Sequence, residues 1–266
     1  MPKTALVITS HERPELLAAV LDSVARQRSA PDEVIIADDG SGSTTRNLIL
    51  DFARRSVVPV CTLFQPHEGF RLARLRNLAI AAADAEYLVF IDGDMRLHES
   101  FIADHRRHAR RGFFTQGVRV YADPRLTARL IADPGRRVTF GSRSAGLLRR
   151  LYLLRSRPLA WAMRRVANRF IAIKGCNQGF WRDDLLRVNG FNEAFVGWGP
   201  EDKELCARLA HAGIRRQTLL FGGVAIHLHH PPASRDRFED NRDILRDTLR
   251  HGRIRCDRGV DAHLQG

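Results

Sequence analysis

Residues 87–94, YLVFIDGD, form an apolar run from Tyr87 to Ile91 that leads directly into Asp92-Gly93-Asp94. A short, almost continuous apolar run with polar flanks is typical of a buried strand. The same pattern occurs at Thr4–Thr9, before Ser10-His11, and at Glu33–Ala37, before Asp38-Asp39. Val57–Phe64 is a further strand of this kind. Together these runs predict a sheet of buried strands.

Helical patterns separate these strands. Pro14 opens a helix at a position where its missing N–H costs nothing, and helices are also predicted at Thr44–Arg55 and from Leu72 to Ala82. Strands that alternate with helices imply parallel βαβ units. Ligands of such sheets bind beyond the carboxyl ends of the strands. We therefore expect the polar residues that follow the strands to meet in one place.

The second half of the chain is less regular. Ile171–Arg182 and Leu219–His227 have strand-like patterns, whereas Glu201–Ala212 and Asp236–Arg250 have helical ones. Between Arg125 and Arg169 the chain is rich in Arg and Leu. There, one side of a basic amphipathic helix is predicted from Leu147, Leu148, Leu151 and Leu154.

Asp92-Gly93-Asp94 is the first candidate for chemistry. Two carboxylates at a strand end offer oxygen ligands to a divalent cation, which can neutralise charge on a diphosphate leaving group. Gly93 allows a ligand to approach the backbone closely. An ordinary acidic turn would give the same tripeptide, so this motif needs support from the others.

Two further groups suit a nucleotide. Asp38-Asp39 can accept hydrogen bonds from a base or a ribose, although Asp-Gly is also a common turn pair. The arginines Arg71, Arg74 and Arg76, with Asn77, lie at a predicted helix start, where they can reach phosphate oxygens. A solvated charged face is the alternative for each arginine.

Gly197-Trp198-Gly199-Pro200-Glu201-Asp202 is the strongest single segment. It places a large flat ring, suited to stacking on a sugar, just before two acids at a predicted helix start. A helix N-terminus favours carboxylate charge, and a carboxylate near a hydroxyl can act as general base. Core packing of Trp198 and simple helix-start charge are the alternatives.

His227-Leu228-His229-His230 follows a predicted strand. Neutral imidazole is a common ligand of Mn²⁺-like and Zn²⁺-like ions. A solvent-exposed polar turn is the alternative for this cluster.

Composition limits the classes of function. The chain has 266 residues with 43 Lys and Arg against 30 Asp and Glu, a net charge of +13 that suits an anionic partner. Nucleic acid is one such partner, but no known nucleic-acid-binding motif is recognisable. The first strand–helix turn lacks GxGxxG, which argues against a nicotinamide enzyme. The start of the chain has no signal-peptide pattern, and the four scattered cysteines favour free thiols in a reducing, cytoplasmic setting.

Seven segments, taken in order, resemble the inverting family-2 glycosyltransferases of the GT-A fold. The later ones are similar to the C-terminal region of β-1,4-galactosyltransferases and chondroitin-polymerase-type enzymes. The segments are TSHERP, ADDGSGS, GFRLARLRN, FIDGDM, KGCNQGFWRDDLLRVNGFNE, GWGPEDKEL and IHLHHP, within residues 4–112 and 170–231. The resemblance implies a Rossmann-like, mostly parallel central sheet flanked by helices, with a smaller acceptor-side region.

The resemblance also implies roles for individual residues. Nucleotide-sugar binding is expected of Thr9, Arg13, Asp39, Arg71, Arg74, Asn77, Asp92 and Gly93. Metal binding is expected of Asp94, His227 and His230, and acceptor binding of Gly197, Trp198 and Asn177. Asp202 resembles the catalytic base, and Glu201 would hold a sugar hydroxyl. Many members of the resembled family carry Trp where His229 stands, which leaves the role of His229 open.

The implied organisation is one catalytic domain in four parts. These are a nucleotide-sugar half (1–112), a strand with the basic insertion (113–169), a catalytic half (170–231) and a helical tail (232–266).

The implied reaction is inverting transfer from a UDP-sugar to a glycan or glycolipid hydroxyl, with Mn²⁺ or Mg²⁺, in assembly of cell-envelope polysaccharide or lipopolysaccharide. The protein would be cytoplasmic, or peripheral on an anionic inner membrane face. A nucleic-acid-binding protein and a catalytically silent sugar-binding relative are the alternatives.

Overall fold

The computed structural model describes residues 1–140, 147–148, 150–164, 173–232 and 234–264. Its first half alternates strands and helices as the sequence predicts. The elements are β1 (Thr4–Ser10), α1 (Pro14–Ala25), β2 (Glu33–Asp39), α2 (Ser43–Arg55), β3 (Val60–Gln65), α3 (Leu72–Ala82) and β4 (Tyr87–Asp92).

The second half adds shorter elements. They are β5 (Met95–Leu97), α4 (Phe101–His108), β6 (Phe113–Gly117), β7 (Arg119–Ala122), α5 (Pro124–Ala132), β8 (Leu147–Leu148), α6 (Arg157–Ala162), β9 (Asn177–Trp181), α7 (Arg182–Arg187), α8 (Glu201–His211), β10 (Arg215–Leu219), β11 (Ala225–His227) and α9 (Phe238–His251), with 3₁₀ turns at Arg150–Leu153 and Val260–His263. None of the described helices has both the length and the apolar character needed to cross a bilayer.

The central sheet has the strand order β10-β6-β9-β4-β1-β2-β3. Its strands are parallel except β9, which runs antiparallel to β4 and β6, so the predicted mostly parallel sheet is confirmed. Strands from residues 1–112 and from later residues share this one sheet. In the β1–β4 register Thr9 lies opposite Asp92, and in the β1–β2 register Ser10 lies opposite Asp38. The polar strand ends therefore lie side by side.

A smaller sheet has the order β5-β11-β7-β8. Met95 of β5 pairs with His227 of β11, and the backbone N–H of Leu228 donates to the carbonyl of Asp94 at 2.9 Å. This pairing brings the Asp92-Gly93-Asp94 turn against the late histidines.

Apolar strands and one face of each helix form the core. Every residue of β1 and β2 is buried, and Leu17, Val20 and Leu21 of α1 pack in the same cluster as Ile8 and Ile36. Burying a Leu or Ile side chain fully contributes about 1.5–3 kcal/mol. The carboxyl edge of the sheet is thus held on a rigid base.

Three predicted elements differ from the structure. The basic amphipathic helix through Leu147, Leu148, Leu151 and Leu154 is wrong, because Leu147 and Leu148 pair with β7 and a 3₁₀ turn follows; Arg149 lies outside the described residues. Within the predicted strand Leu219–His227, only Leu219, the last residue of β10, and Ala225–His227 (β11) are in strands, and residues 220–224 between them are irregular. Of Ile171–Arg182, only Asn177–Trp181 forms a strand, and 171–172 lie outside the described residues.

Candidate active site

The Asp92-Gly93-Asp94 turn is fixed against β1. The Gly93 N–H donates to the Thr9 carbonyl at 2.8 Å, and the Thr9 hydroxyl lies 3.3 Å from Asp92 Oδ1. A Cβ on Gly93 would lie only 3.1 Å from the same carbonyl. Glycine therefore lets the turn lie flat on the end of β1 and leaves both carboxylates at the sheet edge.

Asp94, His227 and His230 form a cluster of possible metal ligands. One ligand atom from each lies within 4.8 Å of the others. His230 Nε2 is 2.7 Å from Asp94 Oδ2, and His227 Nε2 is 3.7 Å from it. The other carboxylate oxygen, Asp94 Oδ1, is buried and has no hydrogen-bond partner. One carboxylate and two imidazoles suit a Mn²⁺-like or Zn²⁺-like ion, so the residues present fit a metal.

The pKa values within this cluster are shifted in opposite directions. Burial lowers the pKa of His227, whereas the hydrogen bond to Asp94 raises the pKa of His230. Burial alone would raise the pKa of Asp94, but the His230 hydrogen bond and the charges of His227, His230 and Arg119 hold it below its usual value. The carboxylate is thus kept charged, which is the state that binds a cation.

Arg76 connects the turn to the start of α8. Its side chain is only 2% exposed, and it donates to Asp92 Oδ1 at 3.2 Å and to Glu201 Oε1 at 3.1 Å. The guanidinium also lies 5.1 Å from the ring centre of Phe191. A single buried cation thus faces two carboxyl groups. Sequence analysis placed Arg76 among phosphate-binding arginines, but the contacts show a residue that joins the two halves of the site.

The pKa of Glu201 is shifted by this arrangement of charges. Burial, and then repulsion from Asp202, raises its pKa to about 8, against the opposing effect of Arg76. Burial also raises the pKa of Asp92, and Arg76 opposes that shift. Glu201 therefore holds a proton near neutral pH and can donate a hydrogen bond.

Asp202 lies beside Glu201 in the first turn of α8. Its Oδ2 accepts the Gly175 N–H at 2.7 Å, and its Oδ1 accepts the Lys203 N–H at 2.7 Å. A Cβ on Gly175 would lie 3.0 Å from Arg76 Nη2. Asp202 is thus connected to the Asp92 turn through Gly175 and Arg76, and backbone donors hold its carboxylate at the helix start.

Trp198 lies on the surface just before α8. It is 37% exposed, its ring centre is 5.3 Å from that of Phe238, and Arg235 lies 4.7 Å from it. Gly197 adopts a positive φ of 80°, and its N–H donates to the Phe70 carbonyl. The tail helix α9 therefore supports an open aromatic surface next to the two acids.

Asp39 is held by side chains that sequence analysis missed. Gln65 Nε2 donates to Asp39 Oδ1 at 2.6 Å, and His67 Nδ1 is 3.0 Å from Oδ2. His11 Nδ1 lies 2.8 Å from the Asp39 carbonyl oxygen, and the rings of His11 and His67 stack at 4.3 Å. Arg74 donates to Gln65 Oε1 at 2.8 Å. The only sequence signal was that each histidine closely follows a strand.

Two predicted ligand-binding amides belong instead to the framework. Asn77 is fully buried, and it bonds to the backbone of Phe191 and to Glu193 Oε1. Asn177 is 1% exposed and bonds to the carbonyls of Val118 and Gly223 and to His105. Each amide bonds to protein through both its nitrogen and its oxygen. The structure therefore does not bring either one to the open side of the site.

The two remaining predicted arginines lie at the edge of the site. Arg71 donates to the Pro66 carbonyl and pairs with Glu68 at 2.8 Å. Arg13 adopts a left-handed conformation before α1, and it donates to the Pro231 carbonyl next to the metal-ligand cluster. Both side chains therefore lie on loops that border the strand ends.

Arg119 is a site residue that sequence analysis missed altogether. It projects from β7, lies 3.1 Å from Cys176 Sγ, and donates to the Tyr121 hydroxyl at 2.8 Å. Its charge lowers the pKa of both Asp92 and Asp94. Burial raises the pKa of Cys176 to about 12, so this thiol is neutral. Arg119 is thus a cation facing the metal-ligand cluster.

Two family models match the chain. The model described as glycosyl transferase family 2 matches residues 5–171, and the model described as the N-terminal domain of galactosyltransferase matches residues 161–231. Together they cover every residue of the candidate site except Arg235 and Phe238, which pack against Trp198.

Curated relatives are similar over most of this chain. A validoxylamine A glucosyltransferase of Streptomyces hygroscopicus subsp. limoneus is 29% identical over 225 residues, covering 80% of this chain and 49% of the relative. A chondroitin synthase of Escherichia coli is 25% identical over 247 residues, covering 85% of this chain and 35% of the relative. The chain therefore spans about half or less of the length of these relatives.

Solved structures share the fold at low identity. A Pyrobaculum calidifontis mannosyltransferase, solved with GDP-Man and Mn²⁺, has a TM-score of 0.58 and 18% identity, covering 85% of this chain and 57% of that one. The S. aureus protein TarS, solved with UDP, has a TM-score of 0.61 and 14% identity, covering 94% of this chain and 68% of that one. The overall architecture is that of the GT-A fold.

Proposed function

The chain belongs to glycosyl transferase family 2, and on that basis we propose that it transfers a sugar from a nucleoside-diphosphate sugar to a glycan or glycolipid hydroxyl. One observation carries the proposal. The Asp94-His227-His230 cluster and the Glu201-Asp202 pair lie at one edge of the sheet, where Arg76 joins Glu201 to Asp92 of the same turn as Asp94. That edge is where open α/β sheets bind their ligands.

The donor nucleotide would bind at the ends of β1 and β2. Asp39 is 3% exposed and is oriented by Gln65 and His67, so its free lone pairs are fixed in direction. Thr9 and Arg13 border the same space. The proposed carrier is UDP, which the TarS structure contains; the GDP-Man of the mannosyltransferase structure makes GDP the alternative.

Asp94, His227 and His230 would hold the metal, for which we propose Mn²⁺ or Mg²⁺. The ion would supply positive charge beside the diphosphate as it leaves. Arg119 faces the same place and adds a fixed cation. Preorganised charge of this kind costs no rearrangement during the reaction.

Asp202 would act as general base on the acceptor hydroxyl. Its carboxylate charge is stabilised by the Gly175 and Lys203 N–H groups and by its position at a helix N-terminus. Glu201 keeps its proton to about pH 8, so it would donate a hydrogen bond to a sugar oxygen rather than compete as base. The acceptor oxygen would then attack the anomeric carbon from the face opposite the leaving diphosphate, with inversion.

Trp198 would bind the acceptor sugar. Its partly exposed ring is supported from behind by Phe238 and Arg235, and it immediately precedes the two acids. Flat aromatic surfaces suit the apolar face of a sugar ring. A growing polysaccharide is the acceptor class we propose, in keeping with the name of the chondroitin synthase relative.

A cell-envelope setting is part of the proposal. The net charge of +13 favours an anionic surface, and Leu151 and Trp161 are 66% and 70% exposed within the Arg-rich insertion. Apolar side chains among arginines are the pattern of peripheral membrane contact. We propose that this segment brings the enzyme to a glycolipid or envelope acceptor.

A thermal-shift screen of nucleoside diphosphates and sugar nucleotides, with and without Mn²⁺, tests the function. A ligand that binds the native state raises the melting temperature, so we expect UDP or GDP with Mn²⁺ to give the largest rise. Release of the nucleoside diphosphate and sugar incorporation into acceptor would follow with the matching donor. Binding of oligonucleotides without any sugar nucleotide would contradict the proposal, and donor binding without transfer to any acceptor would favour a silent relative.

A further inference from the structure

A cavity of about 210 Å³ lies apart from the candidate active site. It is an open cleft bordered by α1, β5, β11 and the segment that follows α5. A single buried water needs only about 10–15 Å³, so the cavity has room for a small ligand. None of the residues proposed above for catalysis, donor or metal lines it.

Apolar side chains form its floor. Leu97, Val138, Val224 and Ile226 line the cavity, and each is at most 7% exposed. Ile226 pairs with Arg96 across β11 and β5, whereas the next residue, His227, belongs to the metal-ligand cluster. Because side chains alternate along a strand, the cavity lies on the opposite face of this sheet from the metal ligands.

Arg96 is a buried cation whose hydrogen bonds are incomplete. It is 9% exposed, and its Nη2 donates to the carbonyls of Pro134 and Arg136 at 2.7 and 2.8 Å. Its Nε is buried without a partner. Buried polar groups are nearly always paired, so this guanidinium points to a ligand.

The charge of the lining favours an anion. Arg26, Arg96, Arg136 and Arg137 line the cavity against a single acid, Glu99. Glu99 is already paired with Arg28 and Arg137. Arg26 pairs with Asp22 at 3.0 Å. Burial lowers the pKa of Arg96, and the charges of Asp22 and Asp133 only partly oppose that shift. Four guanidinium groups against these acids leave the cavity wall net positive.

We propose that this cavity binds the phosphoryl group of a ligand that carries a short apolar moiety. Arginine forks bind phosphate oxygens in pairs, and the apolar floor would receive the attached hydrocarbon. The phosphoryl group can come from a lipid headgroup or from a soluble phosphorylated compound. The proposal concerns a site separate from donor and metal, and does not depend on the proposed function.

Isothermal titration calorimetry of the full chain, without metal or sugar nucleotide, tests the site. The probes are hexyl phosphate, inorganic phosphate and, as uncharged control, hexanol. The test variant is Arg136→Glu with Arg137→Glu, both exposed, so folding should be preserved. The matched control is Arg125→Glu with Arg129→Glu on the exposed side of α5. Arg96→Lys keeps the charge and removes the fork.

We expect hexyl phosphate to bind the native chain and to bind the 136/137 variant at least about tenfold more weakly, because charged hydrogen bonds are lost. The 125/129 variant should bind within about twofold of the native chain, since charges outside the site act weakly. Arg96→Lys should also weaken binding. Absence of binding, or equal loss in the 125/129 variant, would overturn the proposal, whatever the donor screen shows.

Comparing the probes, and adding lipid vesicles, identifies the source of the phosphoryl group. Tighter binding of hexyl phosphate than of inorganic phosphate supports a role for the apolar floor, whereas equal binding supports recognition of phosphate alone. Vesicles containing phosphatidic acid that lose binding with the 136/137 variant point to a lipid headgroup. Binding of hexyl phosphate without vesicle binding points to a soluble compound. Vesicle binding without binding of either soluble probe would overturn the cavity as the site.

Discussion

Arg76 Nη1 lies 3.1 Å from Glu201 Oε1, although 125 residues separate them along the chain. This contact joins α3, which carries Arg76, to α8, which carries the proposed base Asp202. The same guanidinium also holds Asp92. Displacing Arg76 would therefore disturb both sides of the site at once, even though it contacts no ligand in the proposal.

Glu201→Gln should change how stability depends on pH. The folded-state pKa of Glu201, about 8, lies above the usual 4.5. Its favourable contribution is therefore complete below about pH 4.5 and is lost as the pH rises through about 8. The native free energy of unfolding should fall by up to about 1.4 kcal/mol per pH unit across that window relative to the variant. Urea unfolding in chelator at several pH values measures this, with the exposed Glu239→Gln as control. Parallel pH curves for the native chain and Glu201→Gln would contradict the assignment.

Above about pH 8, Arg76→Met should destabilise the fold by about 3–5 kcal/mol, because it leaves the ionised Glu201 and its neighbour Asp92 buried without their cation. Above about pH 8, where Glu201 is ionised, the same substitution should cost less in a Glu201→Gln background, since one of the two carboxyl groups is then neutral. A double-mutant cycle on the free energy of unfolding measures the difference. We expect a coupling energy of at least about 1 kcal/mol; strict additivity would mean that the contact contributes nothing.

Asp202→Asn should lower the transfer rate by about 10²–10⁴-fold, because the general base is lost. Donor affinity should stay the same, since Asp202 contacts Gly175 and Lys203 rather than the proposed donor site. Single-turnover transfer and the thermal shift with sugar nucleotide measure the two effects. Asp183→Asn, on an exposed side chain, is the matched control. Near-normal turnover in Asp202→Asn would remove this residue from the mechanism.

Removing the metal should abolish transfer, and adding Mn²⁺ or Mg²⁺ should restore it. His230→Ala should weaken Mn²⁺ binding by at least about tenfold, because second-shell changes alone cost about 10–100-fold. Calorimetric Mn²⁺ titration of the chelator-treated protein measures this independently of activity. His251→Ala, on the exposed face of α9, is the control. Full activity after exhaustive chelation would exclude the metal from the proposal.

Leu151→Ser with Trp161→Ser should reduce co-sedimentation with anionic vesicles by several fold, because two exposed apolar side chains are lost. Val57→Ser removes an even more exposed apolar residue, 97% accessible, outside the insertion and should leave vesicle binding unchanged. Deleting the whole insertion is unsuitable, since Leu126 and Leu130 of α5 are in the core. Equal vesicle binding by both variants would argue against membrane contact here.

The central sheet was predictable because β1, β2 and β4 are buried on both faces and therefore read as continuous apolar runs. The polar residues at the ends of these strands followed from the same pattern, whereas the meeting of Asp94 with His227 and His230 was expected only from the resemblance to the glycosyltransferase family. The Leu147–Leu154 helix failed because pairing with β7 overrides local periodicity. The support of Asp39 by Gln65 and His67, and the position of Arg119, depend on side-chain contacts between distant strands. No local pattern encodes contacts of that kind.

Strand pairing between Met95 and His227, together with the hydrogen bond from the Leu228 N–H to the Asp94 carbonyl, holds two segments that are distant in sequence together through backbone contacts. The three proposed ligands are therefore held near one another before an ion binds. The free energy of ion binding does not have to offset the cost of ordering these segments. An ion could then leave and be replaced between turnovers while the surrounding architecture stays intact. In this respect the cluster would be a preformed site for an exchangeable ion, unlike a zinc finger, which unfolds without its metal.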